Sequence, residues 1–446
     1  MKIINPYQGI DFASAKRVNS ITHEHILRGQ GSDSVANAYN RGIRHFAALH
    51  YAPAVPRYPM SNFYYRSEGV PYAYKDYKDV PNGDWSIVDK YLIDMGYSSF
   101  VDADGRTIFT DDLPQIPNNE HTLWSHDKSA NPVRYYNHFN VLGNLWAEAA
   151  WGDNNGTTAQ RADGIHSLWD SIDFAKYKEA ENQIFLGKTF GTLNHPLSVQ
   201  GILDFLNVDD ALFNAIEIYN NGYSEGWMKK FREMYDAILA KGYKKWCVAV
   251  IDWQNYVQLD LTTEETEYWQ SRYDAQADKS IYPTMMDYYK EFGRKVSYDR
   301  GCNVLYVPSN YDDLPANDFV VGSDGKKYSN PHSKVYTQAE AGMDAYIQGA
   351  FYASGFGNHA ITNLSVDGNR VTFSVDGNAT EIAAYTNKRK MVGEGNSMQV
   401  TIPKGVNFIR FEALYDEDEK KDFIYTQPLF IEDNQDNDSA KRMLIL

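Results

Sequence analysis

The chain has 446 residues, 43% of them apolar and 14% aromatic, enough to bury the cores of two domains. A formal charge of -16 argues against a nucleic-acid binder, whose phosphates would have to be met by clustered Lys and Arg. No apolar run approaches the roughly 18 residues of a membrane span, and Met1-Lys-Ile-Ile-Asn-Pro-Tyr7 lacks the apolar core of a signal peptide, so a cytoplasmic protein with no membrane partner is expected.

Taken in chain order, short apolar runs alternate with amphipathic stretches up to about residue 354, which predicts an α/β architecture. Ser34 to Arg41 reads as a helix leading into the strand His45 to His50, and Phe174 to Gln183 as a helix leading into Phe190 to His195. Tyr223 to Lys241 reads as a long helix before the strand Trp246 to Asp252. Each of these strands ends in an ionisable residue, where β/α folds build their sites. Residues 256 to 300, rich in Tyr and charge, predict a helical insertion, and a helix from about Ala339 to Phe351 closes this part. From 355 to 446 the pattern predicts a second, all-β domain. There, Ile361 to Asn378 alternates apolar and polar residues and punctuates them with two Asp-Gly-Asn turns. Asp416 to Asp422 and Lys388-Arg389-Lys390 read as solvated loops, and Cys247 and Cys302 as buried free thiols.

The ionisable residues near strand ends form a set of imidazoles and carboxylates: His23, His25, His50, Glu120, His138, His195, Glu217 and Asp252. Such donors suit Zn, Mn or Fe better than Mg or Ca. Alone, His23-Glu-His25 is weak, since residues two apart on a strand share a face whatever their purpose.

Six motifs in order strengthen it: His23-Glu-His25, a strand ending in His50, Pro117-Asn-Asn-Glu120, His138-Phe-Asn-Val-Leu-Gly143, Asn194-His195-Pro196 and Asp252-Trp-Gln254. This series, over roughly residues 20 to 255, resembles the PHP (polymerase and histidinol phosphatase) family of metal-dependent hydrolases. The later runs Gln348 to Ser354, Ile361 to Asn369 and Asn407 to Glu412 look like the β-domain of its carbaryl-hydrolase-like branch. The resemblance implies a distorted (β/α)7 barrel over 1–354 followed by a smaller β-domain. It implies one metal held by His23, His25, Glu120 and Asp252, with Glu120 bridging to a second that is also bound by His138 and His195. Asp33, His50 and Gln254 map to a third site. Asp33 would serve equally as a helix N-cap, and Gln254 stands where the family has His, so it either ligates or only lines the site.

Two, or with that third site three, divalent transition metals are thus expected, with Glu120 and Asp252 as the catalytic carboxylates. The expected activity is hydrolysis by a metal-bridged hydroxide, with a small-molecule phosphoester as substrate. A carboxylic or carbamate ester is the alternative, and a non-catalytic metal-binding protein a further one. Glu217 is read as partner of a Lys or Arg, outside the ligand set. His45, His121, His126, His166, His332 and His359 are read as surface residues or as supports behind the ligands, with His121 and His126 following Glu120 closely enough to orient a substrate.

Overall fold

The computed structural model describes residues 1–23, 31–47, 57–59, 99–109, 112–116, 118, 120–125, 135–143, 146–148, 188–196, 213–221, 223–252, 255–256, 261–275, 283–292, 295–296, 301–321, 327–329, 333–417 and 420–432. The elements that position the site begin with strands β1 (Lys2–Ile4) and β2 (Lys16–Ile21), helix α1 (Gly31–Asn40) and β3 (Ile43–Phe46). They continue with β4 (Glu120–Ser125), β5 (Tyr135–Leu142), β6 (Phe190–Leu193), β7 (Phe213–Asn220), α2 (Glu225–Ala240) and β8 (Trp246–Val250). Helices α3 (Thr263–Asp274) and α4 (Met285–Phe292) precede β9 (Cys302–Val307), α5 (Gln338–Gln348) and β10 (Phe351–Ser354). The last part is all strand: β11 (Ile361–Asp367), β12 (Arg370–Val375), β13 (Glu381–Tyr385), β14 (Lys390–Gly393), β15 (Ser397–Thr401), β16 (Phe408–Glu417), β17 (Lys420–Thr426) and β18 (Leu429–Glu432).

A ten-stranded sheet runs β1-β18-β16-β17-β10-β9-β2-β3, with β13 and then β14 added beside β16. A second sheet runs β8-β7-β6-β5-β4, and β11, β12 and β15 form a third. Every residue of β9 is buried, as are all four of β10, because α5 and the second sheet cover strands that carry apolar side chains on both faces. Two buried amides bind the first two sheets together. Asn303 of β9 donates to Ala249 O at 3.0 Å and accepts from Ala249 N at 3.1 Å. Gln427 does the same for Cys247, at 2.8 and 2.7 Å. These amides supply the edge of β8 with the partners that a neighbouring strand would otherwise give.

Among the described residues the expected (β/α)7 barrel is not found. The described residues are mostly strand, spread over several sheets, with five α-helices among them. Among the described residues, parallel pairing is confined to β2/β3, β6/β7 and β7/β8 and to one isolated bridge, Phe46 to Gln115. By contrast β4/β5, β5/β6, β2/β9 and β9/β10 are antiparallel. A (β/α) barrel is built from parallel neighbours, and this mixed pairing departs from that pattern. The expected boundary at 354/355 falls just after β10, and five strands beyond it belong to the same sheet as β10, β9 and β2.

Local expectations fare better. The 256–300 segment holds α3, opened by a capping box of Thr262 and Glu265, and α4. Helix α5 starts at the N-cap Thr337 and ends on Gly349 at φ 73°, the left-handed cap that glycine adopts without a Cβ clash. Asp367-Gly368 turns β11 into β12 as predicted, whereas in the stretch read as a solvated loop Asp416 and Glu417 end β16 and Asp422 lies in β17, fully buried. Cys247 and Cys302 are buried free thiols, with burial pushing Cys247 up to about 12. Among the described residues no helix is long and apolar enough to cross a membrane.

Candidate metal centre

β2 and β3 run parallel in the first sheet and β6, β7 and β8 in the second, and residues just past the ends of the two sets come together. His23 follows β2 and Ala47 follows β3; His195 follows β6, Asn220 ends β7, and Asp252 follows β8. Asp252 N donates to His23 O at 2.9 Å, so the two sheets meet at this point through their backbones.

His23 is fully buried between two carboxylates. Its Nδ1 contacts Glu217 Oε1, and its Nε2 lies 3.1 Å from Asp252 Oδ1. His195 approaches the same carboxylate, Nε2 to Asp252 Oδ2 at 3.9 Å, with its ring centroid 6.0 Å from that of His23. Glu217 Oε2 accepts from His195 N at 2.6 Å and from Asn220 Nδ2 at 3.0 Å. Asn220 Nδ2 also donates to Asp252 Oδ2 at 2.8 Å.

Behind the histidines lies a rail of amides. Thr22 O accepts from Asn118 Nδ2 at 2.7 Å and Asn140 Nδ2 at 3.0 Å, while Asn140 Oδ1 accepts from Asn194 Nδ2 at 2.8 Å. The residues just before His23 and His195 are thereby fixed relative to each other. Asn118 also donates to Ala47 O at 2.9 Å, which ties in the end of β3.

Two backbone outliers coincide with the centre. His195 (φ 22°) and Asp252 (φ 55°) are the two described non-glycine residues with positive φ. Each such residue costs on the order of 1–3 kcal/mol, and costs of this kind gather where a side chain must be aimed.

Of the expected ligands, the structure brings together His23, His195 and Asp252. Glu120 and His138 are placed by backbone only: register sets Glu120 opposite Asn140 and His138 opposite Thr122. Asp33 falls inside α1, whose first residue is Gly31, so it is not the N-cap; helix ends shift by one or two residues against any sequence reading. His25, His50 and Gln254 lie outside the described residues. Two residues were underrated. Glu217 faces His23 and not a Lys or Arg, and Asn220 joins it to Asp252. The sequence Ile216-Glu-Ile-Tyr-Asn220, a charge and an amide inside an apolar strand, is the signal that could have found them. His45 and His359 are buried, not surface residues. His45 Nε2 faces the Ala339 carbonyl at 3.3 Å and must carry the proton, so Nδ1 accepts from Ser20 Oγ at 2.8 Å; burial depresses its pKa to about 4.

The donor chemistry fits a transition-metal ion. His23 Nε2 and Asp252 Oδ1, 3.1 Å apart, would repel as two lone pairs unless a proton or a cation sits between them. Thr22 Oγ1 and Asn118 Oδ1 are buried oxygens with no hydrogen-bond partner among the described residues. Among the described residues, no group of three or more His, Cys, Asp or Glu side chains is arranged to hold a metal ion. No family model, curated protein or solved structure matches the chain.

Proposed function

We propose that the chain is a metal-dependent hydrolase acting on a small-molecule phosphoester. The observation that carries this is the buried His23–Asp252 contact at 3.1 Å, reached by His195 and held on two positive-φ residues. It stands on that geometry and on the order of the motifs, and not on a barrel. His23, His195 and Asp252 would hold the ion, with Glu120 and His138 as the expected further ligands. Divalent zinc, manganese or iron, when bound, lowers the pKa of water and polarises a phosphoryl oxygen. The protein's own residues do the rest. Asp252 holds a negative charge against the ion, the amide rail keeps His23 and His195 from turning, and burial excludes competing water.

The test is metal analysis of protein purified without chelators, followed by assays on p-nitrophenyl phosphate, bis(p-nitrophenyl) phosphate and p-nitrophenyl acetate with Mn2+ and Zn2+ added. Retained transition metal and phosphoester turnover are expected. Turnover of the acetate alone would move the assignment to a carboxylic ester hydrolase, metal without turnover to a binding protein, and neither metal nor turnover would refute the reading.

A further inference from the structure

We infer that Glu217, which the proposed ligand set leaves out, is the positioning residue of the whole centre; the inference rests on the metal-centre reading above and adds to it. The Glu217 carboxylate is fully buried and accepts three donors from three different parts of the chain. Oε1 takes His23 Nδ1, while Oε2 takes the His195 backbone N–H at 2.6 Å and the Asn220 amide at 3.0 Å. A carboxylate accepts and does not donate, so Glu217 holds a proton on His23 Nδ1, and Nε2 can present its lone pair only where a cation takes the place of a proton facing Asp252. The same group anchors His195 at the residue whose φ is 22°, holding in place a backbone that would otherwise relax. Through Asn220 it also reaches Asp252 Oδ2 at 2.8 Å. One side chain therefore sets the tautomer of the first ligand, the backbone of the second and the rotamer of the third.

Gln at this position has the same shape and the wrong hydrogen-bond pattern. With its NH2 at the Oε2 place it would oppose two donors, His195 N–H and Asn220 N–H. With its NH2 at the Oε1 place it would oppose His23 Nδ1–H, and relief comes only if the proton leaves Nδ1 for Nε2, which occupies the lone pair a metal needs. The sheet position itself, central in a buried strand, is unchanged by either outcome.

The experiment compares wild type with Glu217→Gln by two measurements. The first is the ring 1H–15N correlation of His23 without metal; the second is Zn2+ affinity by competition with a chelating dye. Wild type should show a proton on Nδ1, which Glu217→Gln should lose, and Zn2+ affinity should fall about 10–100-fold. A folded Glu217→Gln protein that keeps both the Nδ1 proton and wild-type affinity overturns the inference. So does a wild type whose His23 proton lies on Nε2 alone, a result that needs no variant. A wild type with the Nδ1 proton and no uptake of Zn2+ leaves the positioning role standing and refutes the metal reading instead.

Discussion

Arg410 is a fully buried cation, and its removal makes a sharp test of how the last strands are held to the rest. Its Nε and Nη2 donate to both oxygens of Asp236 on α2, at 2.6 and 2.7 Å, and its Nη1 donates to Glu412, its neighbour two residues along β16. Its guanidinium also lies 4.3 Å from the Tyr385 ring of β13. Arg410→Ala deletes all of these and leaves two carboxylates facing the gap. Glu412 is 7% exposed and keeps nearly the full desolvation penalty, while Asp236, at 26%, can recover some hydration. Breaking a buried pair by removing one partner costs about 3–5 kcal/mol, and the partial exposure of Asp236 sets the expectation at the lower end, about 3 kcal/mol. Asp236→Asn removes the more solvated partner only and should cost less. Urea denaturation followed by circular dichroism measures both. An Arg410→Ala loss below about 1 kcal/mol with an unchanged slope would show that the network contributes little and that packing alone holds α2 to the sheet.

Three more outcomes are expected. His45 is buried and neutral, with a folded pKa of about 4 against about 6.5 unfolded, so the unfolded state binds the proton more readily. Its contribution is fully present above pH 6.5 and is lost as pH falls towards 4; the stability slope across that window should be shallower in His45→Asn, and an identical slope would remove His45 as its cause. A chain ending at Ser354 loses five of the ten strands of the main sheet and bares β10, whose residues are all buried, so it should be insoluble or unfolded; a soluble, metal-binding product would show that the first part stands alone. Asp252→Asn keeps a residue type tolerant of φ 55° and removes the charge facing His23, so metal analysis should find at least one ion fewer per chain at little cost in stability, and unchanged metal content would take Asp252 out of the ligand set.

What the sequence made legible was the meeting of His23, His195 and Asp252. These lie at strand ends, and apolar runs such as Phe190 to Leu193 and Trp246 to Val250 mark those ends clearly. Strand direction was not legible, and that is where the barrel failed. Cys302 to Val307 is buried on both faces, the pattern usual in parallel sheets, yet it pairs antiparallel with both neighbours; local pattern reports burial and is silent on the direction of the partner. Glu217 was misread for a related reason: a buried carboxylate needs some partner, and nothing local says that the partner is a histidine 194 residues away. Asp422, in an acidic run that looks solvated, accepts the N–H groups of Phe356 and Phe423 at 3.0 and 2.7 Å, a long-range use that charge patterning cannot reveal.

The pairing of β1 with β18, Lys2 opposite Glu432, has a consequence for how the chain is made. Lys2 must wait for a partner that leaves the ribosome 430 residues later, which at about 5–20 residues per second is roughly 20–90 s. Tyr7 is in the same position, since its hydroxyl is bonded to Phe351 O at 2.7 Å and to Gln427 N at 2.8 Å. During that interval the nascent sheet carries open edges, so a vectorially growing chain is exposed to mispairing and to chaperone capture until its last strands arrive.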